Sequence, residues 1–168
     1  MTKSYPEWLD KIRADGVENI DQILKNKSLD LVMKETLRMW NPAMSSFWRK
    51  SMKPMEICGI EIPKGTIIVP PCGWNRLKPY FKDAGKFRPE RFVEEVPKLV
   101  KEQRNSHTPF YAGKRMCMGY HLGELSIKIS VGNVLKMFEL ENRQEGEIEM
   151  VITSIYYATK PQIGLRLK

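Results

Sequence analysis

Phe110-Tyr111-Ala112-Gly113-Lys114-Arg115-Met116-Cys117-Met118-Gly119 is the stretch on which the reading of this 168-residue chain turns. It sets one cysteine behind a turn that two glycines allow to be tight, at the expected start of a helix over 117–140. Leu122, Leu125, Ile129, Leu135 and Phe138 give that helix apolar positions at helical spacing. Unpaired N–H groups at a helix start, and the dipole behind them, favour negative charge on a sulfur there, and Arg115 adds a permanent positive charge two residues earlier. Gly113 and Gly119 lack a Cβ, so a broad flat ligand can approach the backbone. A lone cysteine near a helix start is ordinarily a small buried apolar side chain. Here the order F-x-x-G-x-R-x-C-x-G fixes five positions, and average composition makes its chance occurrence on the order of one in ten thousand for a chain this long. The segment therefore reads as a ligand loop (110–119).

Working back from it, residues 70–109 are rich in proline, glycine and charge, with Trp74, Tyr80, Phe81, Phe87 and Phe92 at intervals. That composition predicts a long ordered loop with a few helical turns, pinned by its aromatics. Met55 to Val69 alternates in polarity and turns at Gly59 and at Pro63-Lys64-Gly65, which predicts short strands and hairpins over 47–69. The first part of the chain, 5–41, predicts helices: one over 5–15, then two within 17–40 joined at Lys25–Lys27, the last with Ser28 as N-cap and ending at Asn41-Pro42. On that last helix Glu35-Thr36-Leu37-Arg38 puts a carboxylate and a guanidinium on one face, by itself an ordinary solvated pair. Beyond the ligand loop and its helix, 149–168 reads as a terminal β-hairpin around Thr159-Lys160-Pro161.

The ligand loop is similar to the haem-binding signature of the cytochromes P450, matched at all five fixed positions, and the other motifs stand in that family's order. Phe87-Arg88-Pro89-Glu90-Arg91-Phe92 resembles its "PERF" element, and Ile57 to Thr66 resembles the hairpin "G-x-x-I-P-K-G-T" of microsomal-type members. The resemblance implies a mainly α fold with small β-sheets, the carboxy-terminal half of the P450 fold. It implies haem b, iron protoporphyrin IX, with Cys117 as axial thiolate and catalytic centre, Phe110 packed near the sulfur, Arg115 paired with a propionate, and Gly113 and Gly119 beside the cofactor. It further implies that Glu35, Arg38 and Arg91 form a buried charged triad with a structural role. Arg49 falls where the family often places a second propionate-binding arginine, although one extra residue before Pro42 disturbs the alignment; the competing reading is a surface arginine. Substrate in family members meets the turn after the Glu-x-x-Arg helix and the tip of the last hairpin, here about Pro42–Trp48 and Thr153–Tyr157. Met44, Phe47, Trp48, Tyr156 and Tyr157 there suit a hydrophobic small molecule and suit core packing equally well.

The implied activity is haem-thiolate monooxygenation, inserting one oxygen atom from O2 into an apolar organic substrate with electrons from a flavoprotein reductase or ferredoxin-type partner. A formal net charge of +8 suits an acidic partner, with Lys114 and Lys128 as the expected docking surface. The basic residues are spread along the chain without a dense block, which argues against a nucleic-acid binder. No stretch of the form A/G-G-x-D/E-T is present, so the helix that covers the distal haem face is expected outside this chain. Surfaces that should pack against it would then be open, and the chain alone is expected to bind haem weakly and hydroxylate nothing. A competing reading is a non-catalytic descendant that keeps the half-fold as a haem-binding or scaffold subunit. No run of about 18 apolar residues and no secretory leader are seen, so membrane association is expected only through a region ahead of this chain. A microsomal-type protein would face the cytosol from the endoplasmic reticulum. Cys58, Cys72 and Cys117 lack the pairing of a disulfide framework or a zinc site; Cys58 and Cys72 read as packing residues, and His107 and His121, without a partner cluster, as ordinary histidines.

Overall fold

Trp8 and Ile12, one helical turn apart, bury the inner face of α1 (Pro6–Asp15). In the computed structural model the described residues are 6–43, 48–69, 80–94, 107–143, 145, 150–152, 156–158 and 161–168. Cys72, Trp74, Met44, Phe47, the hairpin tip at 153–155 and the side chains of Tyr156 and Tyr157 lie outside them. After α1, Gly16 at φ 101° reverses the chain, and α2 (Ile20–Lys25) begins three residues later than 17, capped by Asn19. α3 (Lys27–Met39) follows at once.

The junction between α2 and α3 corrects the expected cap. Asn26, not Ser28, is the N-cap: its Oδ1 accepts from the Leu29 N–H at 2.8 Å, while its Nδ2 donates to the carbonyls of Ile12 (2.7 Å) and Gly16 (2.9 Å). An asparagine has an acceptor and two donors on one planar group, so it can cap α3 and satisfy the end of α1 together. A serine hydroxyl is too short to do both. Around this polar pivot Ile12, Val17, Ile23, Leu29 and Leu135 form the apolar core, with Leu9, Val32 and Leu140 at its margin.

Leu135 comes from α5 (Tyr120–Met137), which crosses α2 and α3. The crossing is close because residue 132 is glycine; a Cβ there would stand 2.7 Å from the Ile23 side chain. Helix α5 starts three residues later and stops three earlier than 117–140. At Phe138 the polarity pattern changes period from helical to alternating, and β5 (Phe138–Asn142) begins. Its partner is β8 (Ile163–Leu167), antiparallel, with Leu140 opposite Leu165 and Glu139 opposite Arg166.

The segment 149–168 is therefore not one hairpin. β6 (Met150–Ile152) pairs with β7 (Tyr156–Ala158), and β8 returns to the end of α5. In the middle of the chain β1 (Arg49–Lys50) pairs with β4 (Ile67–Ile68), and β2 (Met55–Ile57) pairs with β3 (Ile60–Ile62) through Cys58-Gly59. Both of these turn residues have positive φ, 51° and 80°, as a two-residue type I′ hairpin requires. A single helical turn, α4 (Arg91–Glu94), stands in the long loop.

Candidate functional site

The site is built on α3. Leu29, Met33 and Leu37 bury its apolar face, yet Glu35 and Arg38 are equally buried, at 0% and 1% exposure. Ionised groups persist there only when paired and hydrogen-bonded. Glu35 Oε2 accepts from Arg38 Nε at 2.8 Å, and Oε1 from Arg38 Nη2 at 2.8 Å, Arg91 Nε at 3.0 Å and the Arg88 backbone N–H at 2.8 Å. Arg91 also donates to the carbonyls of Lys82 (2.7 Å), Lys86 (3.1 Å) and Asp83 (3.3 Å). Two guanidiniums against one carboxylate leave a surplus positive charge. These carbonyls offset it, together with the ring of Phe81, 5.2 Å from the Arg38 guanidinium carbon and 5.9 Å from that of Arg91. The cluster fastens the loop over 82–91 to α3.

The cysteine loop is tied to the same helix. The ring of His107 meets the Lys34 carbonyl through Nε2 at 3.2 Å and packs edge-on to Phe92, 4.7 Å between centroids. Burial lowers its pKa to about 4, against the raising effect of the Lys34 carbonyl, so the ring is neutral near pH 7. Two residues on, the Pro109 carbonyl accepts from Nδ2 of the buried Asn41 at 3.0 Å. The Tyr111 N–H donates to Thr108 and the Cys117 N–H to Phe110, each at 3.0 Å. The intervening chain turns through left-handed Tyr111 (φ 64°) and Gly113 (φ 74°) into the 3-10 turn Gly113–Arg115.

Cys117 thus sits in a turn ahead of α5, not in its first turn, and its own N–H is used within the loop. The Cys117 side chain is exposed. Gly119, the residue before α5, has φ −91°, so its value is not left-handed freedom; a Cβ on it would stand 4.0 Å from Sγ. Close to Cys117 along the chain, Met116, Met118 and Leu122 are exposed, Met118 completely. Phe110 is half-buried, its ring 6.2 Å from that of Tyr120 and in the space that a Cβ on Gly123 would meet at 3.4 Å. Lys114 and Arg115 are exposed on the 3-10 turn, and Arg49 is exposed on β1 in the sheet with β4.

Lys128 differs from expectation. Its Nζ is bonded to Asp30 and, at 3.3 Å, to the Leu24 carbonyl, so it pins α5 to α2 and α3 instead of presenting a free charge. Sequence reasoning missed Asn41, whose only signal was a polar residue before a helix-ending proline; nothing in the sequence says that it reaches residue 109. Tyr111 was missed too, since a left-handed tyrosine has no sequence signature.

This surroundings suits haem. Among the described residues no group of three or more His, Cys, Asp or Glu could hold a metal ion. An exposed cysteine, with exposed apolar side chains at Met116, Met118 and Leu122 close to it in the chain, fits a broad, largely apolar group such as a porphyrin.

Solved structures share this architecture. The haem domain of cytochrome P450DA superposes with a TM-score of 0.83 over 99% of the chain and 39% of that domain at 16% identity, which shows the fold. The cytochrome P450 CYP102L1 gives 0.81 over 98% of the chain and 39% of its own at 25% identity. The fold is thus that of part of a cytochrome P450 haem domain. The family model "Cytochrome P450" matches residues 4–165, and the chain belongs to that family, whose cofactor is haem b and whose chemistry is haem-thiolate monooxygenation. Similar sequences include thromboxane-A synthase of Sus scrofa, 34% identical over 83% of the chain and 26% of that protein. Germacrene A hydroxylase of Saussurea costus is 35% identical over 77% of the chain and 25% of its own. The chain therefore spans about a quarter to a third of the length of the curated relatives it matches. Among the described residues no helix is long and apolar enough to cross a membrane.

Proposed function

We propose that this chain supplies the cysteine-ligand side of a haem-thiolate monooxygenase acting on an apolar substrate, with Cys117 Sγ as the axial ligand. Bound haem iron with a thiolate ligand supplies activation of O2 by O–O cleavage. The residues of this chain hold and orient that group. Cys117 presents its sulfur from a loop closed by its own N–H. Phe110 packs against the first turn of α5 beside the sulfur, where local polarity tunes a metal site. Arg115 and Arg49 would neutralise the propionates, and Gly113 and Gly119 would let the ring approach. The Glu35–Arg38–Arg91 cluster keeps the loop in place and takes no part in the chemistry. Electrons arrive from a flavoprotein or ferredoxin-type donor docking at a basic surface that includes Lys114. The oxygen-activating helix belongs to a part of the protein outside this chain, and the exposed apolar side chains of α5 support that reading.

The observation that carries the proposal is the exposed sulfur of Cys117 at the mouth of a hydrogen-bonded loop, in a member of a haem family. The test is the absorption spectrum of the reduced, carbon monoxide-treated, haem-loaded full-length protein. A thiolate-type band in the wild type that disappears in Cys117→Ala is expected. Equal spectra in the two proteins, or no haem uptake by the wild type, would refute it.

A further inference from the structure

The geometry points to Asn41 as a positioning residue for the cysteine loop: its Nδ2–H···O=C bond to Pro109 fixes where the chain enters the loop and so holds Cys117 in ligating register. The inference rests on the proposed role of Cys117. Asn41 is 5% exposed, immediately beyond the end of α3, in the helix-terminating Asn41-Pro42 pair. Its amide engages a backbone partner at each end. Oδ1 accepts from the Ala43 N–H at 3.0 Å, which turns the side chain so that Nδ2 faces the Pro109 carbonyl at 3.0 Å. Proline has no N–H, so its carbonyl is the one backbone group by which residue 109 can be held.

Pro109 is next to Phe110, and the Phe110 carbonyl takes the N–H of Cys117 at 3.0 Å. The path from Asn41 to the cysteine backbone is therefore two hydrogen bonds and one residue long. It enters the loop at its stem, ahead of the left-handed residues Tyr111 and Gly113. The second tether of the stem, His107 to the Lys34 carbonyl at 3.2 Å, lies on the other side of Thr108. With only that tether the stem can pivot about Thr108, which would carry Phe110 and Cys117 together.

Three changes separate this role from general support of the fold. Asn41→Ala removes both bonds. Asn41→Asp keeps the acceptor for Ala43 and replaces the donor by an oxygen that repels the Pro109 carbonyl. Ile12→Val loosens the core away from the loop and serves as the stability control. The readout, in the full-length haem-loaded protein, is the rate at which the thiolate-type carbonyl spectrum of the reduced protein decays to the protonated-thiol type, together with the thermal midpoint. Loss of one buried donor is expected to raise the decay rate about tenfold in Asn41→Ala, and at least as much in Asn41→Asp. Ile12→Val should lower the midpoint without faster decay. Wild-type decay rates in both Asn41 variants would overturn the inference, as would equal acceleration in Ile12→Val. If the wild type shows no thiolate-type band, the assignment of Cys117 fails; if it shows the band and only the Asn41 rates are unchanged, that assignment stands and this one falls.

Discussion

Glu35 concentrates four hydrogen bonds on one side chain: its carboxylate receives Arg38 twice, Arg91 and the backbone of Arg88, with no exposure to solvent. Removing its charge leaves two buried guanidiniums facing a neutral amide. Glu35→Gln is expected to destabilise the protein by about 3–5 kcal/mol, the usual consequence of breaking a buried pair from one side. Urea unfolding of wild type and variant measures this; a difference below about 1 kcal/mol would mean that the carbonyls and Phe81 carry the arginines by themselves. His107 makes a second residue-level prediction. Its folded pKa of about 4 lies below the ordinary 6.5, so below pH 6.5 the unfolded chain binds a proton that the folded chain refuses. The contribution is fully present above pH 6.5, declines as pH falls and is gone near pH 4, on the order of 3 kcal/mol in all. The slope of stability against pH in that window should flatten in His107→Gln. An unchanged slope would show that other groups set the acid sensitivity.

At the scale of elements, the α2–α3 junction hangs on Asn26. Asn26→Ala removes a helix cap and strips the Ile12 carbonyl of its buried donor, for an expected loss of about 2–4 kcal/mol. Ser28→Ala, at the neighbouring position with a hydroxyl, should change stability by less than about 0.5 kcal/mol. Comparable losses in the two variants, measured by thermal melting, would contradict the cap assignment. This pair also shows what the sequence carried. The three amino-terminal helices, the central hairpin and the cysteine loop all have local signals: apolar spacing, Cys58-Gly59, and five fixed positions around Cys117. What the sequence hid were long-range choices. Asn26 and Ser28 are both good caps, and only the carbonyls of α1 decide between them. The end of α5 depends on β8, some twenty-five residues away, which draws Phe138 into a strand. Lys128 reads as a solvated charge until Asp30 and the Leu24 carbonyl are brought beside it.

For the whole molecule, the outstanding property is apolar side chains without cover among the described residues. In the turn ahead of α5 and on α5 and β8 these include Met118, Leu122 (67% exposed), Leu125, Met137, Leu165 and Leu167 (74%). Surfaces of that kind drive association unless something covers them. This chain by itself is expected to self-associate as its concentration rises, and Leu122→Gln with Leu125→Gln should reduce the effect in sedimentation equilibrium. A wild-type chain monomeric throughout the accessible range would show that the patch is too dispersed to act. The same long-range wiring that hid parts of the site from the sequence also sets a timetable. The tethers from α3 and from Asn41 just past it reach across 56 residues to Arg91, 68 to Pro109 and 73 to His107. Contacts so distant along the chain come after the local ones, because the entropy of closing those loops must be met first. The helices can be in place early, while the loop that presents the sulfur becomes a defined shape only in the final stage of assembly, so a polypeptide interrupted before that stage would lack the shape on which the proposed ligation depends.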